Sequence, residues 1–175
     1  MTYFRIFVFL LSLVAQPLLA SEISSLFTVD MSKLFRSSDF GKNIISTNNK
    51  ARQDLQNENE ELESKLLSEE KELSKQRKIL SLDEFRPKAL EFDKKVSIIR
   101  KAQGEKEKKL NNEVRKKESE FYKRIYPLLY ELLLDQGGLV LIDQRNIILW
   151  DSSVDITDEA IKLINQVLGK DIKSN

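Results

Sequence analysis

Two long stretches of helical pattern dominate the chain, and each carries its own stripe of apolar residues. The first runs from about Lys42 to Leu80 without a glycine or a proline. Its heptad positions predict one side of a coiled coil, but five of them are polar, so this helix needs a partner to be stable. The heptad positions are Ile45, Asn48, Arg52, Leu55, Asn59, Leu62, Leu66, Glu69, Leu73, Gln76 and Leu80.

The segment Ser81–Glu84 separates the two stretches. Ser81 is a favourable N-cap residue, and Glu84 follows at the position where a capping box places its carboxylate. We therefore predict that a new helix starts here and that residues 81–87 form the tip of a hairpin. Pro87 lies in the second turn of the new helix, so a single continuous helix kinked at Pro87 is the alternative.

The second stretch is as long as the first. About 40 residues separate the tip from Gly41 in one direction and from Phe121 in the other, which is about 60 Å of helix for each arm. Arms of equal length can lie antiparallel, which predicts a helical hairpin over residues 42–126. The stripe of the second arm consists of Phe85, Ala89, Phe92, Val96, Ile99, Gln103, Lys106 and Leu110, and continues to Val114, Phe121, Ile125 and Leu128.

The segments that flank the hairpin predict a small body. Before it, the alternation in residues 25–30 is typical of a strand, and a short helix follows around Met31 to Phe35. After it, an apolar helical stretch closes at Gly137-Gly138, residues that suit a helix C-terminus. Two further strands and a helix follow. They are Leu139–Asp143 and Ile147–Trp150, joined by a turn at 144–146 as a β-hairpin, and a last helix capped by Thr157.

This order of elements predicts an α+β fold, predominantly α, with a long antiparallel coiled-coil hairpin inserted between the strands of a small β-rich body. A body of this size gains stability by oligomerisation, so we expect strand edges or faces of several subunits to combine. The predicted divisions are 1–20 as a signal peptide, 21–41 and 127–175 as the body, and 42–126 as the hairpin. Alternating apolar residues are predicted in the body core or a subunit interface, with client contact as the alternative; they are Phe27, Val29, Leu139, Leu141, Ile148 and Trp150.

The N-terminus is typical of a secretory signal peptide. A positive charge at Arg5 precedes an apolar run from Ile6 to Ala15, and Ala20 is a small residue at the expected cleavage position. The run is shorter than the approximately 20 residues that a membrane-spanning helix needs, although an uncleaved membrane anchor is the alternative. The sequence therefore predicts export to the periplasm.

The composition argues against an enzyme and against a resident cofactor. The chain has no histidine and no cysteine, which removes most zinc sites, imidazole acid–base chemistry and thiol catalysis. The pair Gly137-Gly138 does not lie in the strand–loop–helix context of a phosphate-binding loop. Chemistry by Asp, Glu and Lys is the remaining catalytic alternative, and no cluster of these residues predicts a pocket for it.

Charge is distributed unevenly along the chain. Residues 42–126 contain 22 basic and 17 acidic side chains, and residues 85–126 alone contain 14 basic and 7 acidic ones. The second arm is therefore basic. Its cations either form the solvated face of a coiled coil or attract acidic clients or an anionic lipid surface; export and the lack of a basic–aromatic surface disfavour nucleic acid. The basic arm comprises Lys94, Lys95, Arg100, Lys101, Lys108, Lys109, Arg115, Lys116 and Lys117.

Several motifs resemble those of the Skp/OmpH family of periplasmic chaperones. Leu26–Phe35 resembles the opening strand and short helix of the family, and Leu80–Arg86 resembles its hairpin tip. Leu139–Asp143, Ile147–Ser153 and Asp155–Asp158 resemble its C-terminal block. The resemblance covers nearly the whole chain after the predicted signal peptide.

The resemblance implies a jellyfish-shaped homotrimer in which three hairpins surround a central cavity. Such a protein would act as an ATP-independent holdase for unfolded outer-membrane proteins before their insertion. Leu82, Phe85 and Phe92 near the tip are candidates for client contact, and packing between the arms is the alternative for the two phenylalanines. A structural adaptor that bridges components of the cell envelope is the alternative function.

Overall fold

The structure is a computed structural model that describes residues 26–172, so the predicted signal peptide lies outside the described residues. The described chain is predominantly helical. Its elements are strand β1 (Leu26–Val29), helix α1 (Met31–Ser37), helix α2 (Asp39–Gln76), helix α3 (Leu82–Asp135), strand β2 (Val140–Asp143) and helix α4 (Thr157–Ile172). Short 3-10 turns occupy Gln144–Asn146 and Ser152–Val154.

Helices α2 and α3 pack against each other in opposite directions. The ammonium group of Lys95 donates hydrogen bonds of 2.5 and 2.7 Å to the Glu69 carboxylate, and Lys106 pairs with Glu58. From Glu58 to Glu69 the chain advances 11 residues, and the partners move back by the same 11 residues from Lys106 to Lys95. This register defines an antiparallel hairpin and places residues whose numbers sum to about 164 at the same level.

The predicted stripes face each other along this hairpin. Their apolar members are partly or fully shielded, and Asn48, with 8% exposure, is buried. The charged members Arg52, Glu69 and Lys106 are exposed instead and reach across by hydrogen bonds; Arg52 donates to the Asn111 side chain at 3.3 Å. Polar residues therefore sit at the rim of the seam as well as within it.

The tip forms where the capping box predicts it. The Ser81 hydroxyl accepts a 3.4 Å hydrogen bond from the Glu84 amide, and the Glu84 carboxylate accepts hydrogen bonds of 2.6 Å from that hydroxyl and 3.1 Å from the Ser81 amide. These bonds favour the ionised form and lower the pKa of Glu84. Helix α2 ends at Gln76, so the alternative of one continuous helix is wrong, and Pro87 lies inside α3.

The hydrophobic core lies where the base of the hairpin meets α1 and α4. Phe121 of α3 is fully buried; its ring centroid is 5.0 Å from that of Phe35, edge to face, and 5.8 Å from that of Phe40, stacked. Such aromatic pairs add to the energy of burial. The other buried apolar residues of this core are Val29, Met31, Leu34, Ile44, Ile125, Leu129, Ala160, Ile164 and Leu168.

Helix α3 ends in a Schellman motif. The amide of Gly138 donates to the carbonyl oxygen of Leu133 at 2.8 Å, and the amide of Gly137 donates to that of Leu134 at 2.9 Å. Gly137 has a φ of 70°, a conformation that a residue without a Cβ adopts at little cost. The prediction that these two glycines close the helix is confirmed.

The sheet is smaller than predicted. Strands β1 and β2 pair in parallel, with Phe27 opposite Leu141, and the β-hairpin over 139–150 is wrong because Ile147–Trp150 forms no strand. The Asp143 carboxylate accepts a 3.1 Å hydrogen bond from the Arg145 amide, which starts a 3-10 turn in place of a tight β-turn. Across the sheet, the bridge from Thr28 to Asp155 occupies the second edge of β1.

Thr157 has a different role from the predicted cap. It is the first residue of α4; its hydroxyl accepts a 2.9 Å hydrogen bond from the Asp30 amide and donates to Asp155. Asp155 also accepts a 2.9 Å bond from the Thr157 amide. The buried threonine thus ties the end of β1 to the start of α4.

The residues predicted in the body core or a subunit interface divide into two groups. Phe27 and Val29 are buried, and Leu141 is half-buried. Leu139, Ile148 and Trp150 are 78%, 94% and 43% exposed, respectively, so they lie outside the core of the single chain. A subunit interface remains the prediction for this second group.

Gly41 allows α1 and α2 to approach closely, which generates a stability prediction. A Cβ at this position would overlap the backbone carbonyl oxygen of Phe35, and backbone cannot move aside as a side chain can. We expect Gly41→Ala to lower the free energy of unfolding by about 3 kcal/mol. Thermal and urea unfolding measure the change. Gly169→Ala is the control, since the nearest atom to its Cβ would be 3.9 Å away; equal effects of the two changes would contradict this explanation.

The capping box generates a prediction about Glu84. In Ser81→Ala the carboxylate loses the hydroxyl donor, so its pKa should rise towards the ordinary value, as measured by NMR titration of the side chain. Because the folded-state pKa is lowered, Glu84 stabilises the tip above its unfolded-state pKa, and this contribution is lost as the pH falls through the lowered pKa. Ser68→Ala, on the exposed surface of α2, is the control and should leave the Glu84 titration unchanged.

Candidate interaction surfaces

The tip of the hairpin exposes two large aliphatic side chains. Leu82 is 73% exposed, as expected for a contact residue, and Ile79 is 82% exposed. Phe85 is half-buried beneath the guanidinium of Arg77, whose Cζ lies 4.9 Å from the ring centroid, and Phe92 is half-buried in the seam. Sequence reasoning missed Ile79. The signal for it was its position off the heptad stripe, one residue before the seam residue Leu80.

The cations of α3 include a row on the side facing away from α2. Lys94, Lys101, Lys108 and Arg115 are all exposed and follow one another at intervals of seven residues, so they share one face of the helix. We call this row the outward basic stripe. Leu90 and Ile98 lie four residues before and after Lys94, hence on the same face, and are 61% and 58% exposed. This face therefore combines positive charge with accessible apolar surface.

The other cations of the basic arm are dispersed around α3. Lys95 is engaged with Glu69 across the seam, Lys117 is half-buried, and Arg100, Lys109 and Lys116 are exposed. Within the outward basic stripe, Lys108 forms a 3.3 Å pair with Glu105. Both of its side chains are mostly exposed, and such surface pairs contribute at most about 1 kcal/mol. The stripe can therefore exchange these partners for others at little cost.

The body carries an open cleft beside the sheet, which we call the tyrosine cleft. Tyr122, Tyr126 and Tyr130 follow one another at intervals of four residues on α3 and line a volume of about 630 Å³. Apolar side chains form the rest of its wall, and Asp143 and Arg145 supply its only charged groups among the described residues. The remaining lining residues are Val29, Met31, Leu129, Leu133 and Leu141.

The charged pair of the tyrosine cleft is tightly coupled. Arg145 donates hydrogen bonds of 2.9 and 2.6 Å to the Asp143 carboxylate. Burial alone would raise the pKa of Asp143, but the bonds from Arg145 outweigh it and the pKa is lowered. Burial raises the pKa of the Tyr122 hydroxyl. Both Asp143 and Arg145 therefore keep their charges at neutral pH.

Exposed apolar residues follow β2 along the chain. We call residues 147–150 the 147–150 segment. Its backbone is extended at Ile147, and the side chains of Ile148 and Leu149 are 94% and 87% exposed. Strand β2 has β1 as its sole strand neighbour within residues 26–172, so its second edge is open. An open strand edge pairs readily with an extended segment of another chain.

Residues 26–172 show neither a metal-binding cluster nor a membrane span. This part of the chain contains no grouping of three or more acidic side chains suited to a metal ion. None of its helices combines the length and the apolar character required to cross a membrane.

Comparison with known proteins agrees with this architecture. The family model described as "Outer membrane protein (OmpH-like)" matches residues 25–164. A crystal structure of a protein from Caulobacter crescentus, described as an "outer membrane chaperone (OmpH-like)", superposes on this chain with a TM-score of 0.76. The two sequences are 19% identical, and the superposition covers 82% of this chain and 86% of that one. At this identity the superposition shows a shared fold. No curated protein matches the chain.

The family match spans the opening strand, both arms of the hairpin, the second strand and the first half of the terminal helix. It is this extent, rather than the helical hairpin alone, that makes the assignment specific, because coiled-coil sequences resemble one another through their heptads. The chain belongs to the OmpH-like family of outer membrane proteins, the Skp/OmpH family.

Proposed function

We propose that this protein is an ATP-independent periplasmic holdase that binds unfolded outer-membrane proteins and prevents their aggregation before insertion. The observation that carries the proposal is the hairpin itself. It places accessible aliphatic side chains among cations along an arm of about 60 Å, with Leu82 at the tip and Ile98 along the shaft. The family relationship supports a chaperone role.

The chemistry of this surface suits an unfolded β-barrel protein. Such a client exposes apolar side chains and unpaired backbone, which aggregate unless they are covered. Single exposed residues such as Ile79, Leu90 and Ile98 offer many weak apolar contacts without a defined pocket. Weak contacts spread over a long arm can hold a chain that has no fixed shape and release it without ATP.

The outward basic stripe supports capture over a distance. Its cations create a positive field along one side of α3, which raises the rate of encounter with acidic segments of a client. The same field would attract an anionic lipid surface. Because these charges are exposed, salt screens the attraction over about 10 Å at 0.1 M.

The body supports assembly into a homotrimer. The tyrosine cleft and the 147–150 segment are different surfaces of one chain, so insertion of the segment from one copy beside the cleft of the next is a head-to-tail contact. Head-to-tail contacts of this kind close into rings when the rotation permits. The extended segment would extend the neighbour's sheet at the open edge of β2 and bury Ile148 and Leu149. Three hairpins would then project from one body and surround a client.

An N-terminal signal peptide would place the protein in the periplasm, where its clients pass. A structural adaptor that joins components of the cell envelope is the competing function, because arms of this length could also span two folded partners. The two functions differ in the folding state of the bound protein: a holdase binds unfolded clients, whereas an adaptor binds folded partners.

The holdase function predicts suppression of aggregation. An unfolded outer-membrane β-barrel protein, diluted from urea without nucleotide, should scatter little light when residues 21–175 are present at stoichiometric concentration. Joint replacement of Ile79 and Leu82 by Ser, or reversal of the outward basic stripe to Glu, should weaken client binding about tenfold or more, or about 1.4 kcal/mol. Light scattering and titration of a fluorescently labelled client measure both effects.

The matched control reverses four exposed lysines of the other arm. It consists of Lys42, Lys50, Lys65 and Lys71 replaced by Glu. This control changes the net charge as much as reversal of the stripe does. An equal loss of client binding would show that net charge, and not the position of the stripe, determines binding. No suppression by the unmodified protein, together with tight binding to a folded envelope protein, would establish the adaptor in place of the holdase.

The assembly predicts a change in mass on substitution of Ile148. The unmodified protein should sediment with the mass of three chains, and Ile148→Asp should sediment as smaller species, because the charge would be buried in the interface. Because Ile148 is almost fully exposed in the single chain, the substitution should leave the fold of each chain intact, and the circular dichroism spectrum should be unchanged. Leu67→Asp, on the exposed side of α2, is the control. A trimer that persists in Ile148→Asp would contradict the proposed contact.

A further inference from the structure

Helix α2 carries an exposed patch in which an aliphatic side chain lies between two carboxylates. Glu63, Leu67 and Glu70 follow one another at intervals of four and three residues, so they lie on one face of the helix. Both glutamates are exposed, and Leu67 is 52% exposed. We call these three residues the acidic patch. The seam residues Leu62 and Leu66 are half-buried at the same level, so the acidic patch lies outside the contact with α3.

Helix α3 carries a patch with the same spacing and the opposite charge. Lys94, Ile98 and Lys101 also follow one another at intervals of four and three residues, and the two lysines belong to the outward basic stripe. Both lysines are exposed, and Ile98 is 58% exposed. We call these three residues the basic patch. Each patch therefore presents an aliphatic side chain between two like charges.

The charges of the two patches are not used within the hairpin. Among residues 26–172, none of these four side chains forms an ion pair or a side-chain hydrogen bond. The ion pairs of this region use adjacent residues instead: Glu61 pairs with Lys65 along α2, and Glu69 pairs with Lys95 across the seam. Both patches are therefore available to a partner outside the chain.

The register of the hairpin places the two patches at the same distance from its base. Residues at one level have numbers that sum to about 164, so Glu70 is level with Lys94. By the same rule Glu63 is level with Lys101, and Leu67 is within one residue of the level of Ile98. Within one chain the patches cannot meet, because each lies outside the seam on its own helix.

Symmetry brings the patches of different copies together. Rotation about an axis parallel to the hairpins leaves every residue at its own level. In a ring of three copies each interface joins two different surfaces, so α2 of one hairpin can face α3 of the next all the way round. The two glutamates of the acidic patch would then meet the two lysines of the basic patch, and Leu67 would pack on Ile98. An unfolded client has no fixed spacing and requires no such match between the patches.

We propose that, without a client, the acidic patch of each hairpin binds the basic patch of the hairpin of an adjacent copy. The inference rests on the homotrimer in the proposed function. Exposed ion pairs are weak, so the body contact, and not this lateral contact, holds the three copies together. The lateral contact covers Ile98 and two cations of the outward basic stripe, which are surfaces proposed for clients. It therefore shields apolar surface in the client-free protein and opens when a client displaces the adjacent hairpin.

Disulfide crosslinking of the assembled protein without a client tests the lateral contact. The chain has no native cysteine, so Leu67→Cys combined with Ile98→Cys places one thiol in each patch. Oxidation should join adjacent copies into covalent dimers and trimers on a denaturing gel without reductant, whereas an intrachain disulfide would leave a single-chain band. Gln53→Cys combined with Ile98→Cys is the matched control. Gln53 is exposed on the same face of α2, about 21 Å nearer the base, and should crosslink at least about tenfold less.

Charge exchange tests whether the ion pairs form the contact. In the crosslinking variant, Glu63→Lys with Glu70→Lys should lower the yield about fivefold or more, because lysines would then face lysines. Addition of Lys94→Glu and Lys101→Glu should restore the yield, since the same pairs form with exchanged signs. The fully exchanged protein has the net charge of the unmodified one.

The control for net charge is Asp54→Lys with Glu61→Lys. These two exposed residues have the spacing of Glu63 and Glu70 but lie on another face of α2, so the yield should not change. A protein that sediments with the mass of three chains but gives no more crosslinking than the Gln53 control, or that the exchange does not restore, would overturn the lateral contact and leave the homotrimer intact. A single-chain mass would overturn the homotrimer itself, and the aggregation assay tests the holdase function separately.

Discussion

The fold depends on the packing of Phe121 at the base of the hairpin. Two arms with so polar a seam cannot hold each other in register over about 60 Å, because isolated helices of this kind are marginal in water. At Phe121 helix α3 meets α1 and the start of α2 through aromatic contacts with Phe35 and Phe40, and α4 closes the cluster through Ile164. The position and direction of both arms are set there.

A consequence is that stability is concentrated at one end of the molecule. Away from the core, the arms are joined by partly shielded leucines and by exposed ion pairs such as Lys95 with Glu69, and pairs of that kind contribute little. Caps and local pairs add to the stability of each helix, whereas the seam between the two helices consists of weak contacts. A hairpin that is held by a buried core at its base and by weak contacts along its seam can change shape without unfolding. A continuous heptad seam of Leu and Ile would prevent such a change of shape.

Local signals in the sequence predicted the helices, and long-range contacts explain where the prediction failed. Ser81 and Glu84 mark the tip because a capping box is complete within four residues, and the stripe from Ile45 to Leu80 follows from periodicity alone. The 147–150 segment has the composition of a strand, but a 3-10 turn that begins at the Asp143–Arg145 contact replaces the tight turn that would pair it with β2. On the far side of the sheet, Asp155 bridges to Thr28 of β1. Thr157 was misassigned because its partner, the Asp30 amide, lies 127 residues away.

The misassigned segment has a physical meaning of its own. A segment with strand composition that forms no strand in the single chain can pair with the open edge of β2 in a second copy, which is the arrangement proposed for the body. The surfaces proposed for clients, around Leu82 and along the outward basic stripe, lie on the arm beyond the Phe121 core, whereas Ile148 lies in the body. Assembly and client binding therefore use different apolar residues, so substitutions can remove one and leave the other. If substitution at Ile148 removed both assembly and client binding, client binding would require three hairpins acting at once.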